Sequence, residues 1–273
     1  MASIIQGRVC ILGAGGPVGA VIYKKFKKTK YVLRLVDNKP LKEIINLQNK
    51  IKHVPKITSI EKPHEWIVAD ISSYEQILSV LDGCDGVINL TVNRDEVDIA
   101  FEVNVIGAFN LMRASIEKNI KRIIQTGPAT VHPRFEGDYY YDYHIPDETP
   151  SRPGTDLYPL TKNLGSDIIN AFALEYPELD VITFLLSRLR YANRKDGRDD
   201  DVVIAYSTAW EDLGEAFLCG FKSEEKMEAN EIFHICGNLP MSKYNSKKAG
   251  KLLGWYPKHN FSKFYSLYKN NGR

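Results

Sequence analysis

The apolar run Arg8-Val9-Cys10-Ile11-Leu12 empties directly into Gly13-Ala14-Gly15-Gly16-Pro17-Val18-Gly19. A strand followed by a glycine-rich turn and a helix start leaves few folds open. Glycines permit the tight reversal, let a ligand approach the backbone, and let the helix lie close on the strand. Pro17 suits the first helical turn, where an N–H would have no partner. The free N–H groups and positive end of such a helix suit a pyrophosphate. Gly13, Gly16, Pro17, Val18 and Gly19 are therefore candidate dinucleotide contacts.

Beyond the turn, strand and helix patterns alternate along the chain. Strands are expected at Arg8-Leu12, Val32-Val36, Glu65-Val68, Gly86-Leu90, Arg122-Thr126, Val181-Leu186 and Ile232-Cys236. Helices are expected at Pro17-Lys28, Tyr74-Leu81, Val97-Lys118 and Tyr158-Glu175. Such alternation predicts an α/β fold, a doubly wound parallel sheet of Rossmann type covered by helices. Later pieces, at about 188–205 and 238–273, lose the alternation and are expected to form a small C-terminal cap on a single domain.

At 44% hydrophobic and 26% charged the composition is that of a soluble chain, and a net charge of +2 gives no reason to expect nucleic acid or a membrane as partner. The basic run from Lys24 to Lys30 lies where the first helix should end, where cations are favoured; a polyanion contact is the alternative. Cys10, Cys84, Cys219 and Cys236 have no metal or disulfide spacing, so reduced thiols, no metal, and a cytoplasmic location are expected.

Open sheets of this kind bind ligands at the carboxyl ends of their strands. Asp37 ends the second strand, where an acidic side chain accepts from an adenosine ribose, with Asn38 beside it. Its charge favours NAD over NADP, although Lys39 is close by. Asp70 and Ile71 end the third, at the adenine edge or, for Asp70, as a helix N-cap. Leu90, Thr91 and Val92 end the fourth.

On a helix Tyr158 and Lys162 share a face. A phenol titrates near pH 10, but a neighbouring ammonium favours the phenolate. Tyr158 can then take the proton of an alcohol whose carbon is being oxidised.

The glycine turn, Asp37, Asp70-Ile71, "GCDGVINLT", "NVIGAFNLM", "RIIQTGPATVH" and "YPLTK" stand in the order seen in the extended short-chain dehydrogenases/reductases. The chain resembles the NAD-dependent epimerase/dehydratase members, and "PDETPSRPGTDLYPLTKNLGSDI" with "KLLGWYPKHNFSKF" is similar to the uronate dehydrogenase branch. The resemblance implies NAD as cofactor, a sugar-like small-molecule substrate, and a homodimer through the helices at Val97-Lys118 and Tyr158-Glu175. It implies that Asn104 organises a water and the lysine, and that Arg188 faces substrate at the start of the cap.

One family position is altered. Aligned on Ala129-Thr130-Val131, the catalytic Ser/Thr falls on Pro128, which has no hydroxyl. Thr126 and Thr130 flank it on the same strand face, each displaced by roughly 6–7 Å. A turn at Gly127-Pro128 would be needed to re-aim either of them; His132 is a further donor nearby. Arg190, Arg194 and Arg198 are candidate partners for an anionic substrate group, and Tyr139, Tyr140, Tyr141, Tyr143 and His144 for a sugar or base face. Three readings are open: an NAD-dependent dehydrogenase of a sugar or sugar acid, a nucleotide-sugar epimerase or dehydratase, or a protein that binds NAD without chemistry.

Overall fold

The computed structural model describes residues 7–131, 145–193 and 205–262. His132, the tyrosine-rich stretch 139–144, Arg194 and Arg198 lie outside the described residues, as does the side chain of Thr130.

Seven strands run parallel: β1 (Arg8–Leu12), β2 (Val32–Asp37), β3 (Glu65–Val68), β4 (Gly86–Asn89), β5 (Arg122–Pro128), β6 (Asp180–Leu186) and β9 (Asn230–Ile235), ordered β3-β2-β1-β4-β5-β6-β9. Because successive side chains alternate across a strand, each strand feeds two cores. Val9 and Ile11 point to the face covered by α1 (Pro17–Phe26) and α7 (Trp210–Lys222). Cys10 and Leu12 point to the face covered by α3 (Tyr74–Leu81), α5 (Gly107–Glu117) and α6 (Leu157–Glu175). Strand order reverses between β1 and β4, which opens the crevice where such sheets bind ligands.

The expected strands all form. Two further helices, α2 (Leu41–Asn49) and α7, carry weaker sequence signals, and a two-stranded pair, β7 (Leu189–Arg190) with β8 (Thr208–Ala209), has no clear signal at all. The turn at Gly127-Pro128 that would re-aim Thr126 or Thr130 does not form; the chain turns only after Pro128, over Ala129–Val131. β6 is long enough to pair Thr126, Gly127 and Pro128 with Phe184, Leu185 and Leu186, so β5 continues straight through the proline. Past Gln125 β5 has no strand partner on its β4 side among the described residues, so at Pro128 the strand is an edge on that side, where a proline is tolerated.

The helix expected at Val97-Lys118 is composite: α4 (Val97–Phe101), a π turn over Glu102–Ile106, then α5. By length and composition this 21-residue stretch is apolar enough to cross a membrane, but half of it is buried inside the fold, as in a core helix. The lysine run has an ordinary explanation: Lys24 and Lys25 form the last turn of α1, Lys25 pairs with Glu215, and Lys27 pairs with Glu61 at 2.6 Å.

Past α8 (Lys247–Leu253), Gly254 adopts φ +68° and ends the helix in a left-handed cap. The tail beyond it is fastened to the start of α7. Asp212 Oδ2 accepts from the Lys258 and His259 N–H groups at 2.9 and 2.8 Å, and its Oδ1 meets His259 Nδ1 at 2.8 Å.

Candidate active site

The turn after β1 is pressed tightly against its neighbours everywhere except at one glycine. Gly13 sits at φ +71°, and a Cβ there would lie 2.8 Å from Thr91 N. A Cβ on Gly19 would lie 2.2 Å from Ala14 O, and one on Gly15 would strike Asp37 Oδ2 and Ile44 at 2.7 Å. At Gly16, by contrast, nothing comes nearer than Gly13 O at 3.7 Å. The open side of the turn therefore lies at the start of α1, where Pro17 occupies the first turn and Ala20 N–H makes the bond to Gly16 O at 3.1 Å. The N–H groups of Val18 and Gly19 precede that bond and are left for an anion.

Asp37, at the end of β2, faces this turn. Its Oδ2 accepts from Gly15 N–H at 2.8 Å, and the Asn38 and Lys39 N–H groups also bond the carboxylate. Burial raises its pKa, and these hydrogen bonds oppose the rise. Lys39 Nζ is paired with Glu43 at 2.5 Å, so the cation that argued for a 2′-phosphate already has a carboxylate partner. Gln48, buried on α2, donates to Gly15 O at 2.6 Å and accepts from Ile57 N–H at 2.8 Å. Sequence reasoning missed this support because α2 carries no strong signal. An open glycine at a helix N-terminus with a hydrogen-bonded aspartate opposite fits a dinucleotide of the NAD type.

At the other strand ends, Asp70 Oδ1 accepts from the Ser72 N–H and hydroxyl at 2.9 and 2.8 Å, while Ser73 is the N-cap of α3. Asp70 thus shapes the turn ahead of the cap and is not itself the cap. The Ile71 side chain is buried beneath α5, where a Cβ on Gly107 would strike it at 2.8 Å. Leu90 is buried, and Thr91 N–H and hydroxyl both donate to Asn89 Oδ1, at 3.1 and 2.8 Å. Val92 is exposed.

Tyr158 and Lys162 lie in the first turns of α6, with Lys162 buried. Burial pushes the Tyr158 phenol up, and the opposing influence is the charge and hydrogen bond of Arg94. The guanidinium carbon stands 4.8 Å from the centre of the Tyr158 ring. Burial brings Lys162 down to about 8, with the like charge of Arg94 adding to the effect. The sequence points to Lys162 as the cation on the phenol; in the structure it is Arg94, from the loop between β4 and α4.

Asn104, in the π turn, is buried and holds that loop to α6. Its Nδ2 donates to Asn93 O at 2.7 Å and to Thr161 Oγ1 at 2.9 Å, and its Oδ1 accepts from Asn93 N–H at 3.2 Å. α6 reaches this turn through Gly165, where a Cβ would sit 2.2 Å from Asn104 O. Thr126 Oγ1 donates to Asn89 O at 3.3 Å, so its proton is engaged within the sheet. Arg188 is exposed at φ +25° after β6, and its charge acts on Tyr206.

A nucleotide turn, an acidic ribose position and a tyrosine–lysine helix on one parallel sheet define a dinucleotide-binding protein of Rossmann type. The chain belongs to the NAD dependent epimerase/dehydratase family, whose profile matches residues 9–230. It is 26% identical over 175 residues to a uronate dehydrogenase of Pseudomonas putida, covering 62% of this chain and 56% of that one. It is 26% identical over 127 residues to cinnamoyl-CoA reductase 1 of Petunia hybrida, covering 46% and 36%. The chain thus spans between about a third and just over half the length of these curated relatives. Among solved structures, the glucuronic acid dehydrogenase of Chromohalobacter salexigens superposes with a TM-score of 0.75 at 19% identity, over 98% of this chain and 91% of that one.

Proposed function

We propose that this chain is an NAD-dependent oxidoreductase acting on a sugar or sugar acid of uronate type. The observation that carries the reading is the Tyr158 phenol at the start of α6, with the Arg94 guanidinium carbon 4.8 Å from its ring centre and the buried Lys162 one helical turn further along the same helix. Gly13, Gly16, Val18 and Gly19 would hold the pyrophosphate and Asp37 the adenosine ribose. When bound, NAD+ supplies the two-electron acceptor for the carbon being oxidised. The chain's own task is the proton: as phenolate, Tyr158 takes it from the substrate hydroxyl while that oxygen becomes a carbonyl. Uronate dehydrogenase likenesses in sequence and in fold support the substrate class.

Epimerase or dehydratase chemistry is the second reading, because the family description includes it. In that case NADH would not accumulate during turnover. Pro128 motivates the third, a binding protein without chemistry. Four free thiols, three of them buried, suit a reducing compartment, and we place the protein in the cytoplasm on that ground.

The test is NAD+ reduction measured across uronates, aldoses and nucleotide sugars, with Tyr158→Phe as control. A uronate should give NADH, and the variant should lose about 10²–10⁴-fold in turnover with NAD binding kept. Equal silence of both proteins on every substrate, with NAD still bound, would sink the oxidoreductase reading.

A further inference from the structure

We propose that Arg94 is a catalytic residue: its guanidinium, seated over Tyr158, donates to the phenol oxygen and to the reacting oxygen of the substrate, supplying the hydrogen bond that Pro128 cannot. This rests on the oxidoreductase reading above.

The loop that carries Arg94 is built to hold it there. On one side, Asn93 is clamped at both its N–H and its C=O by Asn104. On the other, the Asp95 and Glu96 N–H groups donate to Asn93 Oδ1 at 3.2 and 3.1 Å, which sets the entry into α4. The same Asn104 amide bonds Thr161, the residue before Lys162. One buried side chain thus ties the loop bearing Arg94 to the helix bearing Tyr158 and Lys162. Residues held this way on both sides present a functional group in a fixed place.

Arg94 is also available. The residue is exposed, and among the described residues no carboxylate stands within ion-pairing distance of it. An exposed arginine with no acid beside it ordinarily points to water; the guanidinium carbon of this one lies 4.8 Å from the centre of an aromatic ring. It is the one charge acting on Tyr158, and likewise the one acting on Lys162, among the described residues.

The chemistry comes from the number of donors. A substrate oxygen that passes its proton to Tyr158 must lie about 2.7 Å from the phenol oxygen. A guanidinium offers five N–H donors in a planar fork, so one can serve the phenolate while a second reaches the neighbouring oxygen. In the oxidising direction the substrate O–H bond breaks and its proton passes to Tyr158, while the C–H bond breaks and its hydrogen leaves with both electrons to the NAD+ that would be bound, as the C=O bond forms. In the reverse direction the carbonyl oxygen gains negative charge, where a fixed cation gives most. The Thr126 hydroxyl, by contrast, is turned to Asn89 O at 3.3 Å.

The experiment compares Arg94→Met, which removes charge and donors, with Arg94→Lys, which keeps the charge. Two readouts are taken after circular dichroism and NAD binding by fluorescence have shown both variants folded and loaded. The first is the titration of Lys162 in cofactor-free protein by NMR of isotopically labelled lysine, assigned with Lys162→Met. From about 8 in the wild type, the midpoint should rise in Arg94→Met and stay close to the wild-type value in Arg94→Lys. The second is turnover on the best uronate: kcat should fall about 10²–10³-fold in Arg94→Met, with a smaller change in KM and the acid limb of the pH profile displaced to higher pH. An unmoved Lys162 titration overturns the proposal whether or not the enzyme turns over. A moved titration with kcat within about twofold of wild type also overturns it. If the wild type oxidises nothing, the dehydrogenase reading falls, and the titration alone decides whether the guanidinium governs this pair.

Discussion

Lys162 shows at the scale of one residue how the site opposes the stability of the fold. Its ammonium is buried and titrates at about 8, against 10.5 for an ordinary lysine. Between those values the unfolded chain binds the proton more tightly than the folded one, so wild-type stability rises as pH climbs from 8 to 10.5. Below 8 the full penalty of burying the charge is present. Lys162→Met should therefore be more resistant to urea than wild type at pH 7, by about 1–3 kcal/mol, and should lose that margin by pH 10.5. Equal denaturation midpoints at pH 7 would show that Lys162 is not carrying this strain. The spacing of Tyr158 and Lys162 was readable in the sequence because helical periodicity puts them on one face. Arg94 was not readable, because its approach to Tyr158 is a contact between a loop and a distant helix. No periodicity reports such a contact.

Among the elements, α6 and the π turn decide the geometry. A glycine in a helix interior disfavours the helix by about 0.5–1 kcal/mol relative to alanine, so Gly165 within α6 asks for a reason. Its neighbour supplies one: a Cβ would come 2.2 Å from the Asn104 carbonyl, which is backbone and cannot swing away. Gly165→Ala should destabilise the protein by about 1–3 kcal/mol despite the better helix propensity, and should lower kcat because α6 carries Tyr158 and Lys162. Gly254→Ala is the comparison: nothing lies within 4 Å of its Cβ position, so only the cost of φ +68° remains and kcat should hold. If Gly165→Ala is as stable and as active as wild type, the close packing of α6 on the π turn does not govern the site. The strands were readable because apolar residues alternate in short runs, and the first turn because glycines mark it. The π turn was not, since Asn104 and Gly107 look only like interruptions of an apolar stripe. Nor was the straight course of β5 through Pro128, which depends on the length of the neighbouring β6.

For the whole molecule, the remaining question is what covers the outer face of the composite helix. Val97, Phe101, Ile106 and Phe109 are exposed along α4, the π turn and α5, and Leu174 is exposed on α6 at 65% of its surface. Phe109 meets the half-buried Phe172 of α6 edge to face at 5.5 Å, so apolar side chains of the two helices adjoin there. An apolar face spread over two adjacent helices is the kind of surface that a twofold-related copy buries, and a twofold contact needs only one such patch. We expect a homodimer through this face, as the family resemblance also implies. Light scattering at micromolar concentration should give twice the chain mass. Introducing charge at the centre, by Ile106→Glu with Phe109→Glu, should halve that mass while NAD binding survives, because the nucleotide turn lies after β1 and away from these side chains. Turnover in the separated chains should fall, since α6 carries Tyr158 and Lys162 on a helix that packs on α5. A wild-type monomer at that concentration would sink the dimer. A charged variant that stays dimeric would move the interface elsewhere and leave this apolar face unexplained by self-association.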